Sequence, residues 1–250
     1  MGSGALERAY ASPQTEAQHR RAFPDNWERY EFAAPFCDGM RVLDVACGSG
    51  FGTAYLTERS GRRAYGLDID RDTIDWCRRH YGEVADFAVI ANDSWPAFSA
   101  AFDAIVSMET IEHVKDVQLF LHEVERNLRP GGLFIISTPR NDGATRYAPS
   151  NPFHVREYSW EEFGELIGAM FAISSRWSQV SQVSEWWHDA RTGPRGRLIA
   201  GLSRLVPARF RQWLAGHAIN SLGLQRGRVV RGDVSTAGVQ LVVARKRLHQ

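Results

Sequence analysis

From Arg41 onward the chain alternates short, continuously apolar runs with amphipathic stretches: RVLDVA, RAYGLDID, DFAVIA, FDAIVS and GLFIIST, each bounded by Gly, Asp, Asn or Pro. This pattern constrains the fold more than any other feature of the sequence. Continuous apolarity marks strands covered on both faces, whereas a sheet with one wet face would alternate strictly between apolar and polar residues. The segments between the runs, Gly52 to Ser60, Thr73 to Tyr81, Thr110 to His113 and Val117 to Leu128, read as helices. Strand and helix in alternation predict βαβ units in a parallel sheet. In the last helix Leu119, Phe120, Val124 and Leu128 form a helical stripe, and Pro130-Gly131-Gly132 is expected to stop it before the fifth strand.

Beyond Thr138 the texture changes to PRNDGATRYAPSNPF, a long Pro, Asn and Gly loop leading into a short helix, Ser159 to Gly168, with Ser159 as N-cap and Glu162 as its capping-box partner. Strands are expected at Phe171 to Trp177 and Val239 to Arg245, with an insertion at about 184–233 between them. Nine arginines stand between Glu185 and Gly232 against Glu185 and Asp189, and RGRLIAGLSRLVPARFRQWLAG reads as two basic amphipathic helices broken at Pro207. Such an insertion suits a lid, a homodimer interface or peripheral contact with a membrane surface. Residues 1–40 show no strand signal and read as a helical cap, with residues 41–250 as one α/β domain.

The formal net charge of the 250 residues is +1, which excludes a wholesale polyanion binder, and no recognition motif accompanies the basic insertion, so nucleic acid is not expected as a partner. No stretch reaches the length of a membrane span, and the first residues lack the basic-then-apolar order of a signal peptide. The expected location is therefore cytoplasmic, or peripheral at the inner membrane face. Cys37, Cys47 and Cys77 form no CxxC pair and read as reduced thiols.

The chemistry is concentrated in LDVACGSGFG, an apolar strand running into a glycine-rich turn that opens a helix. Small residues there let backbone N–H groups approach a ligand at a helix N-terminus. A dinucleotide fingerprint wants GxGxxG, whereas Gly48, Gly50 and Gly52 follow a GxGxG rhythm with Asp44 inside the strand. That early carboxylate disfavours a pyrophosphate, and with it an NAD-dependent dehydrogenase, but suits an amino-acid ammonium. Asp68 closes the second strand, where a carboxylate can accept both hydroxyls of a ribose. Asn92 and Asp93 close the third, in position to meet an adenine amino group, with Ile69 and Ser94 flanking the ring. Asp70 reads as the N-cap of the following helix.

VLDVACGSG, GLDID, AND, FDAIVSMETIEHV and LRPGGLFIISTP, in that order over Arg41 to Pro139, resemble the motifs of class I S-adenosylmethionine-dependent methyltransferases. The departure is Ala46, where that family often has glycine. The resemblance implies a Rossmann-like, seven-stranded, mostly parallel sheet with a reversed last strand and helices on both faces. It also implies S-adenosylmethionine as cofactor, with S-adenosylhomocysteine as product, across Asp44, Ala46, Gly48, Gly50, Asp68, Ile69, Asn92, Asp93, Ser94, Met108 and Glu109.

Methyl transfer to a hydroxyl requires removal of its proton near neutral pH, which imidazole can do. His154 is the first candidate for that base, followed by His113 and Glu112. WERYEFAAPF and NPFHVREY resemble segments of bacterial methyltransferases that modify glycans, which implies a sugar or glycan acceptor held by Trp27, Tyr30, Asn151, Glu157 and Tyr158. A quinone, phenol or polyketide acceptor would share every cofactor residue. A catalytically silent cofactor-binding module, docked through its basic insertion, is the reading of a different class. Should a divalent ion such as Mg²⁺ take part, its ligands would come from Glu109, Glu112, His113, Asp142 and His154.

Overall fold

The computed structural model describes residues 12–90, 95–96, 98, 102–141, 153–180, 227–235 and 237–248. Two helices, α1 (Glu16–Ala22) and α2 (Pro24–Ala33), precede a 3₁₀ turn at Ala34–Cys37. The alternating core follows as β1 (Val42–Val45), α3 (Phe51–Ser60), β2 (Tyr65–Asp68), α4 (Arg71–Tyr81), β3 (Asp86–Val89) and β4 (Phe102–Ser107). A 3₁₀ turn at Ile111–His113, α5 (Val117–Asn127) and β5 (Leu128–Pro139) come next. The described chain continues through α6 (Trp160–Met170), β6 (Phe171–Val180), β7 (Arg228–Arg231) and β8 (Val239–Lys246).

The strands form one sheet in the order β3-β2-β1-β4-β5-β8-β6-β7. From β3 to β5 neighbours are parallel, and β8 runs antiparallel to both β5 and β6. The reversed strand at 239–246 is thus the last in sequence but lies inside the sheet. Among the described residues the sheet has eight strands where seven were expected, because Arg228–Arg231 adds an antiparallel edge to β6. That segment was assigned to the helical insertion at 184–233; the two basic helices read within it lie outside the described residues.

The continuous apolarity has the expected cause. Val42 faces one buried cluster with Trp27, Leu56, Ile74 and Cys77 from the helices on one side, while Leu43 and Val45 face a second with Phe120, Leu121, Phe163 and Ile167 from the other. Local chemistry also places the helix starts: the Asp70 side chain accepts from Thr73 N at 2.8 Å, the Asp116 side chain from Leu119 N at 2.9 Å, and Ser159 with Glu162 closes a full capping box. Pro130-Gly131-Gly132 differs from expectation. It lies within β5 as a bulge, where pairing jumps from Phe102↔Leu128 to Ala104↔Leu133 and Gly131 takes φ 74°. Among the described residues no helix is long and apolar enough to cross a membrane.

Candidate active site

A pocket of about 1120 Å³ opens beyond the carboxyl ends of β1, β2 and β4, the edge where open α/β sheets bind ligands. It is as large as or larger than an ordinary small-ligand site, with room for a cofactor and an acceptor side by side.

The three glycines of the turn do different work. Gly48, at φ 52°, lines the pocket and has open space where a Cβ would stand. At Gly50 a Cβ would meet Cys77 Sγ at 2.9 Å and the Phe87 ring at 3.0 Å, and at Gly52 it would meet the Tyr30 ring at 2.1 Å. Those two glycines admit neighbouring side chains rather than a ligand, and Gly50 does not line the pocket. Ala46 does line it and holds φ 59°, the left-handed conformation that its methyl disfavours.

Asp44 is set back from the pocket. Its carboxylate is fully buried behind the pocket wall, accepting from Thr53 Oγ1 at 2.7 Å and from the Tyr30 hydroxyl at 3.2 Å. Burial pushes its pKa up to about 7, Asp68 adds to the rise, and the two hydroxyl donors oppose it. Asp44 does not line the pocket, so its link to a ligand there is indirect. Asp68 does line it, and its two oxygens accept from Gly48 N at 3.1 Å and Asp70 N at 2.9 Å. The carboxylate therefore fixes the glycine-rich turn relative to β2. Ile69, 70% exposed, projects beside it.

On the opposite side, METIEHV follows β4. Met108 lines the pocket. Glu109 has φ 52°, and its carboxylate accepts from Ser137 Oγ at 2.7 Å. Glu112 is almost wholly buried, with Thr138 Oγ1 donating to it at 2.9 Å. Burial first, and then the Glu109 carboxylate, push Glu112 well above the usual carboxylate range. The segment around His154 is fastened to this turn by main-chain bonds: Val155 N and Arg156 N donate to the Glu112 carbonyl at 2.7 and 3.2 Å. That fastening brings two imidazoles together, with His113 and His154 ring centroids 4.9 Å apart at 78°. His113 Nδ1 meets the Phe153 carbonyl at 3.0 Å, and His154 Nδ1 meets Glu157 Oε1 at 2.6 Å, with Asn141 Nδ2 donating to the other Glu157 oxygen at 2.6 Å.

Two residues expected at an acceptor are core side chains instead. Trp27 is 2% exposed, and its Nε1 donates to His19 Nδ1 at 2.7 Å; Tyr158 is also 2% exposed and packs on Phe163. Neither stacks on a ligand from there. Tyr30 lines the pocket, whereas Glu157 does not and bonds to His154 and Asn141. Asn92, Asp93, Ser94, Asp142 and Asn151 lie outside the described residues. The sequence reading missed Arg29, which lines the pocket while its guanidinium donates to Gln179 Oε1 at 2.9 Å and Asn26 Oδ1 at 2.7 Å. Its position three residues after Asn26, beside the Trp27–Tyr30 stripe, was the available signal.

Residues 43–136 match the model of a methyltransferase domain family. A probable S-adenosylmethionine-dependent methyltransferase of Mycolicibacterium smegmatis is 37% identical over 140 residues, 55% of this chain and 54% of the relative. A fatty-acid O-methyltransferase of the same organism is 37% identical over 106 residues, 41% of this chain and 38% of the relative. The chain spans about half the length, or less, of these curated relatives. Among solved structures, a putative methyltransferase of Haloferax volcanii in complex with its activator Trm112 superposes with a TM-score of 0.62 at 19% identity, covering 94% of this chain and 97% of that one. Residues 43–136 thus match a methyltransferase domain, in a chain whose fold is that of the solved methyltransferase it superposes on.

Proposed function

We propose that the protein is an S-adenosylmethionine-dependent O-methyltransferase acting on a hydroxyl of a small, largely apolar acceptor of the phenol, quinone or polyketide kind. One observation carries the reading: the glycine-rich turn with Asp68 and the Glu112, His113 and His154 cluster line the same pocket. Asp68 offers the ribose its carboxylate, Gly48 gives close access to the backbone, and the exposed Ile69 covers one face of the adenine. The Arg29 guanidinium suits the carboxylate of the methionyl end.

A sulfonium methyl is already activated, so the protein mainly aligns acceptor oxygen, methyl carbon and sulfur and excludes water. The oxygen forms its bond to the methyl carbon as the carbon–sulfur bond breaks, and the sulfonium becomes a neutral thioether. The hydroxyl proton must leave to a base. Glu157 accepts from His154 Nδ1, which makes Nε2 the basic nitrogen of that ring, and His113 and Glu112 stand beside it.

The walls support this acceptor class. Ile90, Trp95, Val114, Leu119, Phe120 and Phe153 line the pocket, and an apolar ring or chain would pack against them. A sugar acceptor is the weaker reading, since Trp27 and Tyr158, the aromatic side chains assigned to stack on it, are buried in the core.

Calorimetric titration with S-adenosylmethionine should give micromolar binding, and Asp68→Ala should weaken it by about 2 kcal/mol. Methyl transfer is then assayed on phenolic and sugar acceptors in parallel. Unchanged cofactor affinity in Asp68→Ala removes the ribose assignment, and turnover confined to sugars removes the apolar acceptor.

A further inference from the structure

We propose that Glu112, His113 and His154 form a binding site for one divalent first-row transition-metal ion, held by two imidazole nitrogens and one carboxylate oxygen. The idea deepens the proposed function, because the ion would stand in the acceptor half of that pocket.

Convergence is the first argument. One donor atom from each of the three residues lies within 4.8 Å of the other two, and His113 Nε2 is 3.8 Å from Glu112 Oε1. Ligand bonds of about 2.0–2.2 Å at tetrahedral angles place donor atoms about 3.3–3.6 Å apart, so closing the site takes a contraction of up to about 1.5 Å in the longest pair, within reach of a side-chain rotation.

Orientation is the second. A metal-bound histidine almost always gives its other ring N–H to a carboxylate or a main-chain carbonyl, which fixes tautomer and direction. Both arrangements are present. His113 Nδ1 is held by the Phe153 carbonyl and His154 Nδ1 by Glu157, itself held by Asn141. With Nδ1 of each ring so engaged, Nε2 is the nitrogen that each would offer an ion. Glu112 is held in turn by Thr138 at one oxygen, and its other oxygen is the one nearest His113.

Construction is the third. His154 and Glu112 are 42 positions apart in sequence, and the bonds from Val155 N and Arg156 N to the Glu112 carbonyl couple their main chains directly. The cluster rests on a braced turn and not on mobile surface side chains.

The donor set selects the ion. Mg²⁺ and Ca²⁺ prefer all-oxygen shells, whereas two imidazoles and a carboxylate suit Zn²⁺, Fe²⁺, Co²⁺ or Ni²⁺. Mg²⁺, the ion named from sequence, is the poorer match. Three protein ligands leave further positions for an acceptor oxygen on the pocket side. Coordination there would lower the hydroxyl's pKa, so the proton could pass to solvent without His154 as its acceptor. The two roles exclude each other at His154 Nε2, since a nitrogen bound to metal holds no lone pair for a proton.

The experiment uses the full chain without an affinity tag, stripped with a chelator and titrated with Co²⁺ and separately with Mg²⁺, read by calorimetry and by visible absorption. One Co²⁺ per chain with ligand-field bands, bound at least a hundredfold more tightly than Mg²⁺, is expected. His113→Ala, His154→Ala and Glu112→Gln should each weaken Co²⁺ by tenfold or more, and Glu157→Gln, which leaves all three ligands in place, by about tenfold. Circular dichroism identifies any variant that fails to fold, and the Glu157→Gln result then decides. Absence of saturable Co²⁺ binding, binding that none of the variants disturbs, or equal affinity for Mg²⁺ overturns the proposal. S-adenosylmethionine titrated into the same samples separates the two readings: cofactor bound without Co²⁺ removes the metal site alone, and Co²⁺ bound without cofactor removes the proposed function alone.

Discussion

Asp44→Asn is the substitution whose effect can be worked furthest from the structure. The wild-type carboxyl is fully buried, and its pKa rises from 3.8 to about 7 on folding, mainly through burial. A group whose pKa is raised in the folded state binds more protons folded than unfolded, so its contribution to stability is present at low pH and lost as pH rises through the folded value. The whole shift corresponds to about 4 kcal/mol, of which about 3 kcal/mol is lost between about pH 4.5 and about pH 8. Asparagine keeps the shape and an acceptor for Thr53 Oγ1 or the Tyr30 hydroxyl but cannot ionise. Urea unfolding of both proteins across that range isolates the term, because every other titrating group cancels in the difference. The variant should gain about 3 kcal/mol on the wild type from the acidic to the basic end, with most of the gain complete by about pH 7. Stability curves that stay parallel would refute the argument, and so would a difference that runs the other way, which would mean that the two hydroxyl donors outweigh burial.

Two further substitutions test the packing of the same turn. Gly52→Ala should destabilise by at least about 2 kcal/mol in urea unfolding, although alanine is the better helix former, because its Cβ would stand 2.1 Å from a Tyr30 ring already fixed by Asp44 and Phe51. A stability at or above that of the wild type would show that the ring moves aside. Ala46→Gly should stabilise by about 0.5–1 kcal/mol, since relief of the left-handed penalty exceeds the extra chain entropy of glycine; a lower urea midpoint at unchanged slope would count against strain at this residue.

Much of the parallel half was legible because it rests on local, redundant signals. RVLDVA and FDAIVS are apolar on both faces, Asp70 and Ser159 cap helices with their own side chains, and GxGxG follows a strand. What escaped depends on tertiary placement. RVVR is four residues flanked by arginines inside a basic stretch, and only pairing with β6 makes it a strand. Trp27 and Tyr158 look like exposed binding aromatics in sequence because their polar tips suit water. In the fold His19 satisfies the Trp27 N–H, and the Tyr158 ring is closed off by α6. The glycines carried the right motif, but which of them faces a ligand was set by Cys77, Phe87 and Tyr30 across the turn. His113 and His154 could be named singly from sequence; their approach depends on main-chain bonds between segments far apart in the chain.

The two edges of the sheet treat their carboxylates in opposite ways. Near the start of β4, Asp103 accepts from Arg41 N at 2.8 Å and pairs with Arg129, so its charge meets a cation. At the carboxyl ends of β1, β2 and β4, hydroxyls donate to Asp44 and Glu112 and main-chain N–H groups to Asp68, and burial pushes the pKa of Asp44 up to about 7 and that of Glu112 well above the carboxylate range. Among the described residues the non-glycine positions with positive φ, Ala46 and Glu109, stand at the same edge. Strained backbone and carboxyl groups buried away from water lower stability, and a fold tolerates them where a ligand offsets their cost. Carboxyl groups whose pKa burial has raised ionise beside a positive charge, and both a sulfonium cofactor with its ammonium and a divalent ion between Glu112 and two imidazoles bring one. The effect is electrostatic, so it should act on both ligands at once, and binding of one cation should weaken the other in proportion to the charge that the shared carboxylates have already met.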